Sequence, residues 1–210
     1  MKKTIFYLVT VSTLTITACN NDSNKNDKVA HDMNIMDKDT MQLATATNDS
    51  AIKAVTVTFI NVDANAAAAI KEIVAHYLHI KNALANDNGS EAATGAKAME
   101  KAISSLDKSL FTAEQKKVYD DIEDDLKEHA EHIGKNGDNI KHQRSHFAML
   151  SEDVYDLVKN FGAGQTIYHD HCPMYNEGKG AMWLSEMKEV KNPFYGSEMI
   201  TCGSVEEVIK

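Results

Sequence analysis

Histidine, cysteine and methionine crowd one short stretch of this 210-residue chain: Tyr168-His169-Asp170-His171-Cys172-Pro173-Met174. Four donors, His169, His171, Cys172 and Met174, fall within six residues, and Met199-Ile200-Thr201-Cys202 adds two more. Thiolate, thioether and imidazole are the soft and borderline donors that select Cu(I), with Ag(I) as its chemical relative. Such an ion is satisfied by about two to four soft ligands, so His171, Cys172, Met174, Met199 and Cys202 are a sufficient candidate set. His169 and Met182 are weaker candidates, and Trp183 is placed to lie over the ion or shield it by packing.

The same residues admit a structural reading. In an exported protein disulfides persist, and a Cys172–Cys202 bridge would close a loop of about 30 residues, worth about 3–4 kcal/mol in the chain-entropy model. The methionines would then be packing residues and the histidines surface ones. Redox catalysis is a third possibility, held down by the lack of a Cys-x-x-Cys motif. On these residues alone, metal and disulfide stand level.

A second set of histidines lies upstream. His129 and His132, then His142 and His146, have spacings of three and four, so each pair shares a helix face. A helical hairpin would bring the pairs together as an alternative zinc or copper site; the plain alternative is polar residues at the edge of a core. Neither His-Glu-x-x-His nor the Glu-x-x-His of di-iron bundles is present there. His76 and His79 lie off the apolar stripe of their helix and are expected in solvent.

The elements that must position these residues are helical. Ile70, Ile73, Val74, Tyr77, Lys81 and Leu84 fall on one face of a helix over about 65–85, and only Lys81 breaks the stripe. Asn86-Asp87-Asn88-Gly89 stops it, and Ser90 is the expected cap of a second helix with Ala92, Ala96, Met99, Ile103 and Leu106 inward. Thr112-Ala113-Glu114-Gln115 fits a capping box. A third helix then carries Tyr119, Ile122, Leu126, Ala130 and Ile133, and a fourth runs from Ile140 to Phe161 before Gly162. Short connections predict a mainly α protein, an up-down-up-down four-helix bundle. Val55 to Phe59 alternates as a short extended segment before it. Both prolines, the only Trp and six of ten glycines fall between Gly162 and Gly203, so a small turn-rich C-terminal module follows, with short strands expected at 166–169 and 181–184.

The start of the chain suggests a compartment. Met1-Lys2-Lys3, an apolar run from Ile5 to Ile16, then Ile16-Thr17-Ala18-Cys19 reads as a secretory signal. It ends in what resembles a bacterial lipobox, with Cys19 acylated; multiple acyl chains hold a protein on a membrane where one does not. Asn20 lacks the Asp of the best-known inner-membrane retention rule, so the expected location is the cell envelope, lipid-anchored on the outer membrane facing the periplasm, with cell-surface exposure as the alternative. Residues 20–50, with His31, Met33, Met36 and Met41, are polar and aperiodic and read as a disordered tether. The expected organisation is signal 1–18, acylated Cys19 and tether 19–54, bundle 55–162, and Cys/Met/His-rich module 163–210. A net charge of −9 argues against nucleic acid, and no Gly-rich phosphate loop is present. No nucleophile–base pair or paired carboxylates can be placed together, so no enzyme is expected.

The C-terminal words also carry a resemblance. Cys172-Pro173-Met174, Trp183-Leu184-Ser185, Asn192-Pro193-x-Tyr195-Gly196 and Met199-x-x-Cys202-Gly203, in this order, resemble a numbered, uncharacterised domain family of Gram-negative bacteria. Tyr77 to Asp87 is similar to that family's first helix and Gln143-Arg144-x-x-Phe147-x-x-Leu150-Ser151 to its fourth; Phe194 stands where the family usually has Tyr. Its members occur as small lipoproteins and as C-terminal extensions of periplasmic adaptor subunits in copper/silver-type efflux systems. The resemblance, over about 70–205, implies an association with heavy-metal handling, copper as the ion and efflux components as partners.

Overall fold

Polar side chains at the chain's turns fix where four of the five long helices begin. In the computed structural model, which describes residues 52–210, α1 (Ala64–Ala85) starts at Asp63, whose carboxylate accepts from the Asn65 and Ala66 amides. The signal, Cys19, and His31, Met33, Met36 and Met41 lie outside the described residues. Helix α2 (Gly89–Ser105) is capped by Asn88, not by Ser90: the Asn88 side chain accepts from Glu91 N, and Ser90 lies inside the first turn. The Thr112–Gln115 capping box forms as expected and opens α3 (Ala113–Asp120). The expected third helix is two helices, because the chain breaks at Asp121 and Ile122 before α4 (Glu123–Lys135). Helix α5 (Ile140–Phe161) starts at Asn139, which accepts from His142 N.

Five helices and a small four-stranded sheet make up the described residues. Helix α1 packs against α2 and α5, α2 against α4, and α4 against α5. The strands are β1 (Lys53–Val55), β2 (Ile167–Cys172), β3 (Ala181–Ser185) and β4 (Ser204–Ile209), in the order β1-β4-β2-β3. Strand β1 runs parallel to β4, and β2 is antiparallel to both neighbours. Extended pairing thus falls at Lys53–Val55; after it, Thr58 N and Phe59 N donate to Lys159 O and Asn160 O at the end of α5. One hydrophobic cluster joins helices and sheet, with Trp183, Leu184 and Phe194 packed among Ile73, Tyr77, Phe147 and Leu150.

Buried polar residues stitch this body together. Lys81, on the apolar stripe, is fully buried because its ammonium reaches Glu186, 2.9 Å away, and Ser185 Oγ at 3.4 Å. Tyr77 OH accepts from Leu184 N (2.9 Å) and bonds Ser151 Oγ (2.8 Å), coupling α1, α5 and β3. Arg144 donates to Pro193 O, Leu84 O and the Asp87 carboxylate, and Asp87 also accepts from Ser197 N. The words Gln143-Arg144 and Asn192-Pro193 therefore meet through a latch from α5 to the C-terminal loop. None of the described helices is long and apolar enough to cross a membrane.

Candidate metal centres

Two of the five expected sulfur and imidazole ligands come together in the C-terminal region. Cys172 closes β2 and is fully buried; Cys202 follows the turn from Met199 and is half-buried. Their sulfurs are 3.9 Å apart and both cysteines are free. Burial, and then the Cys172 sulfur, push the Cys202 thiol up, so it is protonated at neutral pH and an ion must displace that proton.

Two residues place Cys202. Asn192 is buried; its Oδ1 accepts from the Phe194 and Tyr195 amides and its Nδ2 donates to Cys202 O at 2.7 Å. Gly203 has φ +140°, and a Cβ there would sit 2.7 Å from His171 O and 2.9 Å from the Trp183 ring. Only glycine lets the chain pass so close to β2. Neither residue was a candidate in the sequence, although Asn-Pro is a turn signal.

Of the other expected ligands, His171 groups with the weaker candidates His169 and Met182. A β-bulge between His169 and Asp170 turns both toward the buried side, with Cys172 beyond them, and leaves Tyr168 and His171 half-exposed. His171 and Met182 line a shallow depression with Tyr155, His169, Glu206 and Glu207. His169 stacks on Tyr155, ring centroids 4.1 Å apart, with Nδ1 3.6 Å from Glu207; burial holds its pKa below the ordinary value. Met174 is half-exposed, and its carbonyl accepts from Tyr195 OH. Met199 opens the turn whose last amide, Cys202 N, bonds back to its carbonyl. Within the His-x-His-Cys-x-Met word the two histidines thus share one depression, Cys172 is buried beside Cys202 and Met174 is exposed.

Helices α4 and α5 do the reverse. His132 and His146 stack with centroids 4.1 Å apart, His142 and His146 lie at 4.6 Å, and His129 Nδ1 is 3.2 Å from His146 Nδ1. One ligand atom from each of His132, His142 and His146 falls within 4.8 Å of the others, at half-buried positions. Buried Gln143 sets this hairpin by donating to Ile133 O in α4 and Gly89 O in α2. Burial and the three neighbouring imidazoles push His146 down to about 4, and burial lowers His129 as well, so both are neutral donors at physiological pH. Asp153, one face further along α5, has its Oδ2 3.9 Å from His129 Nε2 and otherwise unpartnered. Burial and then Asp125, Glu152 and Asp156 push its carboxyl up to about 7. His76 and His79, expected in solvent, are half-buried beside Glu72 and Glu91.

The described residues form a mainly helical protein with a small four-stranded sheet at its C-terminal end. Residues 73–166 match the model of a family described as protein of unknown function (DUF3347). The matched stretch holds the four histidines of α4 and α5 and ends before Cys172, so the C-terminal words lie beyond it. Searches of curated proteins and of solved structures found no match.

Proposed function

We propose that this is a lipid-anchored extracytoplasmic protein that captures Cu(I) or Ag(I) on the reduced Cys172–Cys202 pair, in heavy-metal homeostasis or efflux. The anchor is Cys19, the location is the cell envelope, and metal-efflux components are the partners. The long helices serve as an up-down-up-down scaffold. The 3.9 Å between the two sulfurs carries this reading. Two thiolates about 2.3 Å from a shared tetrahedral ion lie about 3.8 Å apart, so at this separation the ion takes one or two further donors beside the pair. Resemblance of the C-terminal words to copper/silver-efflux extensions supports the choice of ion.

The same separation favours a second reading, a non-catalytic envelope interaction module whose Cys172 and Cys202 are joined as a structural disulfide with no metal. Mass measurement before and after reduction, with thiol alkylation, separates the two in protein isolated from cells. The first reading expects two alkylated thiols, and Cu(I) bound by reduced protein far more tightly than by the Cys172→Ser/Cys202→Ser variant. A bridge in the isolated protein, with equal and weak Cu(I) binding by reduced protein and variant, supports the second.

A further inference from the structure

We propose that His132, His142 and His146 form a separate, thiol-independent centre for a borderline divalent cation of the Zn(II) type, with His129 and Asp153 as its positioning residues. Imidazole is the preferred donor for such ions, whereas the paired thiols suit a soft monovalent one. The proposal does not rest on the sulfur site.

Convergence is the first argument. Three imidazoles from two helices offer ligand atoms within 4.8 Å of one another. Zn–N bonds of about 2.0–2.1 Å put tetrahedral ligand nitrogens about 3.4 Å apart, so closure needs ring rotations and side-chain shifts on the order of 1 Å. The stacked His132 and His146 rings must swing to point their nitrogens inward. Backbone rearrangement is not required, because buried Gln143 already ties the start of α5 to the end of α4.

The second argument is the outer layer. His129 Nδ1 meets His146 Nδ1 at 3.2 Å; with His146 Nδ1–H as the donor, His146 Nε2 is left unprotonated for an ion and His129 carries its own proton on Nε2. On its other side His129 Nε2 faces Asp153 Oδ2 at 3.9 Å, a buried oxygen with no hydrogen-bond partner among the described residues. A ligating histidine that donates its other ring N–H to a fixed acceptor has its ring orientation and tautomer set; here His129 is that acceptor for His146, and Asp153 stands behind it. It also explains why Asp153 is withdrawn from water with nothing else to bind. Solvated helix faces have no reason to gather four imidazoles and an unpaired carboxylate.

Three protein ligands leave at least one coordination position open to water or to a donor from a partner. Such a centre is built for loading and release, unlike a closed four-ligand structural site.

The test is calorimetric titration of the full-length chain with Zn(II), and with Co(II) for its visible absorption. Expected are one ion per chain, a tetrahedral or five-coordinate Co(II) spectrum, and no change in the Cys172→Ser/Cys202→Ser variant. His142→Ala and His132→Ala should each weaken binding at least tenfold. Asp153→Asn should weaken it by about 10-fold while keeping the stoichiometry, as loss of an outer-layer partner does; His76→Ala should leave it unchanged. If His142→Ala does not fold, His142→Asn, checked by circular dichroism, takes its place. Absence of saturable binding to the unsubstituted chain overturns the proposal, and so does equal binding by the His132→Ala/His142→Ala variant. Loss of Zn(II) binding in the double-serine variant, with its histidines intact, would assign the ion to the thiols and overturn it too.

Discussion

Around β2, donors that are adjacent in the chain end up apart, and Cys172 instead meets Cys202, 30 positions away. Along the α4–α5 hairpin, donors from two helices separated by a turn end up together, with three imidazoles inside 4.8 Å. Backbone geometry explains the contrast. A strand sends successive side chains to opposite faces, and the His169/Asp170 bulge redirects two of them again. A helix stacks residues three and four apart on one face, and a short turn folds that face onto its neighbour. Donor density along a sequence is therefore a poor guide to a site in strands, and donor period is a good one in helices.

Four changes break or sharpen this contrast, in falling order of effect. Gly203→Ala should be the most damaging, because its Cβ meets the His171 carbonyl and the Trp183 ring at under 3 Å. A loss of about 3 kcal/mol is expected, from strain and overpacking together, read by thermal unfolding, along with faster alkylation of Cys172. Asn192→Ala removes the acceptor for two amides and the donor to Cys202 O. It should cost about 2 kcal/mol and raise Cys202 alkylation while leaving Zn(II) binding by the helices intact.

The third change concerns pH. Bonds from the Ser197 hydroxyl and amide, and then from Arg144, pull Asp87 down to about 2. A carboxyl depressed in the folded state stabilises above its unfolded value near 4 and loses that contribution as pH falls through 4 to 2. Asp87 is over a third exposed, so screening limits the effect to on the order of 1 kcal/mol. Denaturant unfolding of Asp87→Asn should show a flatter acid limb, with stability above pH 5 lowered by that amount and no change of slope there. His142→Ala should move stability least, by under about 0.5 kcal/mol, although it removes a ligand. A large loss of stability in metal-free His142→Ala would mean that the histidines build the core edge and not a site.

Legibility in the sequence followed the same division. The apolar stripes of α1 and α5, with the Asn86–Gly89 stop and Gly162, placed them within a residue, and the Asp63 and Asn139 caps fall where those stripes begin. The break after Asp120 was hidden, since Tyr119, Ile122 and Leu126 keep an inward period across it. Strand β4 was missed because the adjacent Glu206 and Glu207 spoil alternation, and its parallel partner β1 is over 150 residues away. Lys81 looked like a flaw in a core stripe until Glu186 supplied its counter-ion. Both module cysteines and the four histidines of α4 and α5 were visible as candidates; the bulge that turns His169 and Asp170 to the same side, and the Asp153 carboxylate behind His129, depend on contacts that no local pattern encodes.

The central claim is tested most directly by titrating reduced full-length protein with Cu(I) against a chelator of known affinity, beside the Cys172→Ser/Cys202→Ser variant. The account predicts one Cu(I) held per chain by the unsubstituted protein and at least 100-fold weaker binding by the variant. Indistinguishable affinities for the two would contradict it.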